Sequence, residues 1–381
     1  MKKILLVFGT RPEAIKMAPL VKEFKLHPEY FEVSVCVTAQ HREMLDQVLD
    51  LFEIYPDYDL NIMKPNQSLH DISSNILYGV KEVLDRFSPD LVLVHGDTTT
   101  STFAALAAFY NKIKVGHIEA GLRTKNIYSP FPEEVNRRIT GVLAHYHFAP
   151  TSLSKSNLEE ENHKNILISG NTVIDSLFFI LKKIKNNKIF RLKIIDYFLS
   201  EKFKFLDERR IILVTGHRRE NHGKGLINIC NALEEIAILN PSIDIVYPVH
   251  MNPNVESVVK RLLFKVPNIF LIKPLRYEQF VYLMHKSYFI ITDSGGIQEE
   301  APSMGKPVLV MRDATERPEA LKAGTVKLVG TSTKKIVNEA NALINDVALY
   351  KSMSSAYNPY GDGKASKKIV DFFIRNEVKR K

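Results

Sequence analysis

The sequence predicts an α/β protein built from two doubly wound domains. Three observations carry that expectation. Short, continuously apolar runs recur along the chain, separated by stretches of helical periodicity, which is the pattern of parallel strands covered on both faces. The series runs through the first half, weakens over about 182–210, and then restarts. The chain has 381 residues, long for one core and comfortable for two.

In the first half, residues 4–8 read as a buried strand. Residues 12–26 read as a helix with proline in its first turn. A strand over 33–38 leads to a helix over about 42–52, and a longer helix covers 69–87. Residues 91–94 form the next apolar strand, 101–110 a helix and 115–118 another strand. The stretch 182–210 is rich in lysine and asparagine but keeps many apolar residues, so it reads as a helical connector. Strands then follow at 211–215, 243–247, 269–272, 289–292 and 308–311, with a sixth at 326–329. The last helix, about 364–378, follows the turn Asn358-Pro359-Tyr360-Gly361-Asp362-Gly363 and can return to the first domain. The expected organisation is 1–180 plus 364–381 as one domain and 181–363 as the other, facing a central cleft.

Hydrophobic content of 45% and charged content of 25% are ordinary for a globular protein. The net charge of +9 favours an anionic ligand without naming one. Neither a basic stripe nor a nucleic-acid reader motif occurs, so nucleic acid is not an expected partner. Cys36 and Cys230 sit in apolar patterns and read as core residues. No run is long enough to span a bilayer, and 1–8 lacks the features of a secretory signal, so a cytoplasmic protein without a membrane partner is expected. Gly-x-Gly-x-x-Gly, the P-loop pattern, His-Glu-x-x-His and cysteine pairs are all missing, so neither a cofactor nor a metal is expected.

Ligands of open parallel sheets bind beyond the carboxyl ends of the strands. Residues 288–292 run into Ser294-Gly295-Gly296-Ile297-Gln298-Glu299-Glu300, which reads as strand, glycine turn and helix. Free amides at such a turn, with the helix dipole, form a phosphate site. Glu300 on the helix is placed to reach a ribose. Other strand ends carry Gly9-Thr10-Arg11-Pro12-Glu13, His95-Gly96-Asp97-Thr98-Thr99-Thr100, Glu119-Ala120-Gly121-Leu122-Arg123, Gly216-His217-Arg218-Arg219-Glu220 and His250, with Ser129-Pro130-Phe131-Pro132-Glu133-Glu134 on a loop. Singly, each has a plain explanation. Asp97 can cap a helix, one of Glu133 and Glu134 can serve a helix N-terminus, and a lone histidine is usually packed or solvated. Together, Asp97, Glu119, Glu133 and His217 at strand ends and on one rim point to proton transfer.

These motifs, with Phe8-Gly9-Thr10-Arg11-Pro12-Glu13-Ala14-Ile15-Lys16, Thr315-Glu316-Arg317-Pro318-Glu319 and the 358–363 turn, closely resemble the bacterial non-hydrolysing UDP-N-acetylglucosamine 2-epimerases, in family order from about residue 2 to 370. The resemblance implies two Rossmann-like domains in a GT-B-like arrangement and a homodimer. It implies interconversion of UDP-GlcNAc and UDP-ManNAc through elimination of UDP, feeding surface polysaccharide synthesis. It also implies that Arg11, Ser294 and Gly295 contact the diphosphate, with Gly296 in the same turn. Glu300 would contact the ribose, and Phe280 would lie beside the uracil. Asp97, Glu119, Glu133 and His217 are the implied catalytic set, and Lys16 and Arg317 line the cleft. Some relatives bind a second UDP-GlcNAc as an activator. Gln40, Arg218 and His250 match that site, whereas Glu43 replaces a glutamine and Asn66 stands near the place of an arginine. The alternatives are a hydrolysing epimerase releasing ManNAc and UDP, a 2-epimerase acting on diacetamido-uronate derivatives, a glycosyltransferase of the same architecture, and a UDP-sugar sensor.

Overall fold

A computed structural model describes residues 1–39, 42–64 and 66–378, the last three as backbone only. Two parallel sheets with interleaved helices make up the α/β fold. The chain divides into two compact units, Met1–Phe179 with Tyr360–Lys381, and Ile180–Pro359.

In the first unit the strands are β1 (Lys2–Phe8), β2 (Phe31–Val37), β3 (Tyr58–Asp59), β4 (Leu91–His95), β5 (Lys114–Ile118), β6 (Tyr146–Ala149) and β7 (Ile166–Ile168). They form one seven-stranded sheet in the order β3-β2-β1-β4-β5-β6-β7, every pairing parallel. Helices cover both faces of β1, so Ile4, Leu5, Leu6, Val7 and Phe8 are fully buried. That burial on two sides is why the strand shows no alternation in sequence.

Three of these strands escape the sequence pattern for physical reasons. Tyr58–Asp59 and Ile166–Ile168 are short edge strands of two and three residues. Tyr146–Ala149 carries His147 in its middle, yet that ring is buried.

In the second unit the strands are β8 (Arg210–Thr215), β9 (Ile243–Pro248), β10 (Ile269–Ile272), β11 (Phe289–Thr292), β12 (Val308–Val310) and β13 (Val326–Leu328). Their order is β10-β9-β8-β11-β12-β13, again all parallel. The lysine-rich stretch before β8 folds as two helices, Thr172–Asn186 and Lys188–Ser200.

Both sheets reverse direction of winding once. The reversal lies between β1 and β4 in the first and between β8 and β11 in the second. At such a switch point the loops after the two central strands diverge, leaving a crevice at the carboxyl edge. The loops that begin at Gly9, His95, Gly216 and Asp293 therefore owe their placement to strand order.

The helix Ala365–Val378 returns to the first unit. Phe373 is fully buried, with its ring 6.1 Å from Phe24, 5.4 Å from Tyr146 and 5.6 Å from Phe148. Its N-terminus is capped from a distance. Asp175 accepts the backbone N–H groups of Ala365 at 3.1 Å and Ser366 at 2.8 Å. Burial pushes the Asp175 carboxyl up, and these hydrogen bonds oppose that shift.

Asp175→Ala is expected to lower the unfolding free energy by about 1–2 kcal/mol, the usual worth of a cap. Hydrogen exchange across 365–375 is expected to speed up. Unchanged exchange there would refute the capping role.

Candidate active site

The first-unit site is built on one buried carboxylate. Thr10 caps the helix Arg11–Lys25 in a capping box with Glu13. Oε2 of Glu13 accepts the amides of Gly9 at 3.0 Å and Thr10 at 2.8 Å. Its Oε1 accepts the hydroxyls of Thr98 at 2.6 Å and Ser101 at 3.1 Å. One side chain, 2% exposed, thus ties the loop after β1 to the loop after β4 across the switch point. Burial pushes the Glu13 carboxyl up, and the hydrogen bonds from Thr98, Gly9 and Thr10 only partly oppose that. Gly9 is required by the same close approach. A Cβ there would stand 1.9 Å from Thr38 Oγ1 and 2.6 Å from Thr100 Oγ1.

Glu119 follows β5 with φ of +59°, a left-handed conformation that costs energy for any residue with a side chain. Its carboxylate is gripped on both sides. Lys16 Nζ lies 2.5 Å from Oε2, and Asn171 Nδ2 donates to the same oxygen at 2.7 Å. His95 Nε2 lies 3.8 Å away, buried and without a hydrogen-bond partner among the described residues. Oε1 of Glu119 is 3.6 Å from where a Cβ on Gly96 would stand, so Glu119 faces the Asp97 loop.

Asp97 is partly exposed and pairs with Arg137 Nη2 at 2.6 Å, while its carbonyl accepts Asn136 Nδ2 at 3.0 Å. Both partners come from the helix Glu133–Leu143. Glu134 on that helix is fully buried and structural, accepting Thr124 N at 3.0 Å and Arg137 Nη1 at 3.2 Å. Its neighbour Glu133 has a buried Oε2 with no hydrogen-bond partner among the described residues. The first unit thus brings Lys16, Asp97, Glu119 and the Glu133 helix together, with Arg11 half-buried at the start of the helix that carries Lys16. Glu43 is exposed on the helix Arg42–Phe52. Gln40 lies outside the described residues.

In the second unit the organising carboxylate is Asp293, fully buried at the end of β11. Its Oδ2 accepts the amides of His217 at 2.9 Å and Arg218 at 2.8 Å, and Asn221 Nδ2 at 3.2 Å. The loop after β8 is thereby held against the loop after β11. His217 is 45% exposed, and the ring of His250 stacks on it at 5.1 Å. Burial pushes the His217 imidazole down, Asp293 opposes that, and His250 and Arg218 reinforce it. Two residues matched to an activator site therefore lie against a candidate catalytic one.

The Ser294–Glu300 turn leads into a very short helix. The helix is a single turn, Ile297–Glu300, passing at once into a 3₁₀ turn over Ala301–Met304 that contains Pro302. So short a helix adds little dipole. The amides of Gly295, Gly296 and Ile297 nevertheless have no hydrogen-bond partner among the described residues. Ser294 N is turned inward to Thr292 Oγ1 at 2.9 Å. Gly295 lies under the Arg317 guanidinium, where a Cβ would meet Cζ at 3.3 Å. Arg317 is braced by Glu299 at 2.8 Å and Glu316 at 2.8 Å. Tyr277 donates to Glu300 Oε2 at 2.9 Å, and Phe280 lies one turn further along the helix Tyr277–Lys286.

Sequence reasoning missed Glu13, Arg137, Asn171 and Asp293 as site residues. Glu13 and Asp293 stood inside motifs, but only strand order shows what they join. Arg137 stands three residues after Glu134, a spacing that signals contact on a helix face. Nothing in the sequence pairs Asn171 with Glu119.

Two switch-point sheets in one chain, one edged with carboxylates and the other with a glycine turn, define a two-domain α/β protein of the GT-B-like class. A family model described as UDP-N-acetylglucosamine 2-epimerase matches residues 22–374. A Campylobacter jejuni UDP-N-acetylglucosamine 2-epimerase is 60% identical over 99% of this chain and 98% of its own. An Escherichia coli (strain K12) protein of the same name is 56% identical over 99% of each chain. The crystal structure of a Neisseria meningitidis UDP-GlcNAc 2-epimerase bound to UDP-GlcNAc superposes with a TM-score of 0.89 at 55% identity. That match covers 98% of this chain and 100% of the other. This chain belongs to the UDP-N-acetylglucosamine 2-epimerase family.

Glu13→Gln would turn an amide N–H₂ onto a pair of existing donors. It is expected to cost about 1–3 kcal/mol in urea unfolding and to slow catalysis; an unchanged urea midpoint would contradict the bridging role. Burial also holds His95 down at about 4, His117 at about 3 and His147 at about 4. Depressed folded values mean that this stability is present above about pH 6.5, the unfolded value, and is lost as pH falls toward the folded ones. Each histidine accounts for about 1.4 kcal/mol per pH unit in that window. At pH 5, unfolding is expected to take up about three protons on their account. Calorimetry in buffers of different ionisation enthalpy measures this, and zero uptake would refute it.

Proposed function

We propose that this protein interconverts UDP-GlcNAc and UDP-ManNAc without net hydrolysis, by eliminating UDP and adding it back. The observation that carries this reading is the near-full-length match to UDP-N-acetylglucosamine 2-epimerases. The quoted motifs favour the non-hydrolysing members.

The chemistry explains why no redox group is called for. The hydrogen on sugar C2 is a poor acid because no carbonyl adjoins it. Loss of the C1–oxygen bond gives C1 oxocarbenium character and acidifies C2. UDP takes that bond's electron pair, a base takes the C2 proton, and the C2–H pair becomes the C1–C2 double bond. Returning the proton to the opposite face of the 2-acetamidoglucal and re-adding UDP at C1 completes the epimerisation.

Each half of that sequence has residues suited to it. The free amides of Gly295, Gly296 and Ile297, with the nearby Arg317 and with Arg11, stabilise departing diphosphate and hold it for return. Phe280 and Glu300 take the uracil and ribose. Asp97, Glu119 and Glu133 supply proton-transfer groups for the two faces of C2, and His217 serves the leaving oxygen or the second face. Lys16, paired with Glu119 at 2.5 Å, fixes that carboxylate. The working form is a cytoplasmic homodimer whose product feeds surface polysaccharide synthesis.

Incubation with UDP-GlcNAc in deuterated water, followed by NMR, is expected to yield UDP-ManNAc with deuterium at C2 of both sugars. Accumulation of free ManNAc and UDP would identify the hydrolysing reaction instead. Asp97→Asn is expected to slow turnover at least about a hundredfold. A near-normal rate would remove Asp97 from the proton-transfer set.

A further inference from the structure

The second carboxylate oxygen of Asp293 has no assigned work. Oδ2 alone accounts for the loop-tying role, with three donors from His217, Arg218 and Asn221. Oδ1 is buried and has no hydrogen-bond partner among the described residues. A buried carboxylate oxygen without a donor is costly, and native proteins rarely keep one idle. A ring nitrogen stands close to it. His217 Nδ1 lies 3.8 Å from Asp293 Oδ1, longer than a hydrogen bond but within reach of a modest rotation of the imidazole. Catalytic hydrogen bonds are often long in a ligand-free site and tighten when substrate binds.

We infer that Asp293 is the positioning residue of His217, holding the imidazole by its Nδ1–H so that Nε2 is the nitrogen offered for proton transfer. The inference rests on the reading of His217 as a group of the catalytic set. Three features of the fold support it. Asp293 directly follows β11 and is held in place, because its other oxygen accepts three hydrogen bonds. The His250 ring lies parallel to His217, with 10° between planes, and covers one face of the imidazole. His222 Nε2 stands 3.3 Å from the His217 carbonyl, bracing the backbone of the same loop. The charged and titratable groups facing His217 are Asp293, His250, Arg218 and His222, and Asp293 is the anion among them. When Nε2 takes a proton, that anion stabilises the imidazolium; when Nε2 gives it up, the tautomer is already correct.

Asp293→Asn separates this role from the structural one. An asparagine carbonyl oxygen still accepts the His217 and Arg218 amides, but its NH₂ group faces His217 Nδ1 and demands the opposite tautomer. Long-range ¹H–¹⁵N NMR of the full chain labelled at histidine, with the His217 signals assigned from His217→Gln, is expected to show Nδ1–H in the unaltered protein and Nε2–H in Asp293→Asn. Turnover of UDP-GlcNAc by Asp293→Asn is expected to fall at least about tenfold in kcat, with KM changed less than about threefold. Finding Nε2–H at His217 in the unaltered protein overturns the inference whether or not the variant folds. A variant with kcat within about twofold of the unaltered protein overturns it too. Failure of the unaltered protein to epimerise UDP-GlcNAc would instead count against the proposed function, and the His217 tautomer would still test Asp293 on its own.

Discussion

The constraint on which both halves of this protein depend is a buried carboxylate that spans a sheet's switch point. In the first unit Glu13 gathers two amides from the loop after β1 and two hydroxyls from the loop after β4. In the second, Asp293 gathers two amides and a side-chain amide from the segment that follows β8. Loops diverge at a switch point because the flanking helices pack on opposite faces. Something must hold their backbones at a fixed separation if side chains on them are to act together. A carboxylate does this well, since it accepts several bonds and satisfies amides that the departing strands leave unpaired.

The side chains placed by these bridges differ in character between the units. The first unit assembles carboxylates, each gripped by its own cation or amide: Arg137 for Asp97, Lys16 and Asn171 for Glu119. The second assembles free amides, an arginine laid over Gly295, and a histidine backed by an anion. The elimination proposed above calls for both kinds of group, proton acceptors for the sugar and positive potential for the leaving group. The left-handed backbone of Glu119 fits the same logic. Strain persists where surrounding contacts overdetermine a position, and Glu119 is held by Lys16 and Asn171, which come from two separate segments.

Much of this was legible in the chain itself. The central strands were visible because burial on both faces demands unbroken apolar runs, as in Ile4 to Phe8. The polar motifs were visible because glycine and charged residues interrupt that pattern at strand ends. Edge strands were not, since Tyr58–Asp59 and Ile166–Ile168 are too short to show any period. The glycines after β11 mark the turn at Ser294 and the helix that follows it, but not that this helix is one turn long before the 3₁₀ turn containing Pro302.

The sequence by itself determined the fold class, the number of sheets and the residues rich enough in chemistry to act, because these depend on local periodicity and residue type. Only the tertiary structure decided which of those residues touch. It made Glu134 a buried strut and left an oxygen of Glu133 without a hydrogen-bond partner among the described residues, although the two are adjacent in sequence. It joined Glu119 to Asn171 and His217 to Asp293, separated by 52 and 76 residues. Those pairings follow from strand order, and strand order is set by how whole helices pack on a sheet, which no local stretch of sequence records.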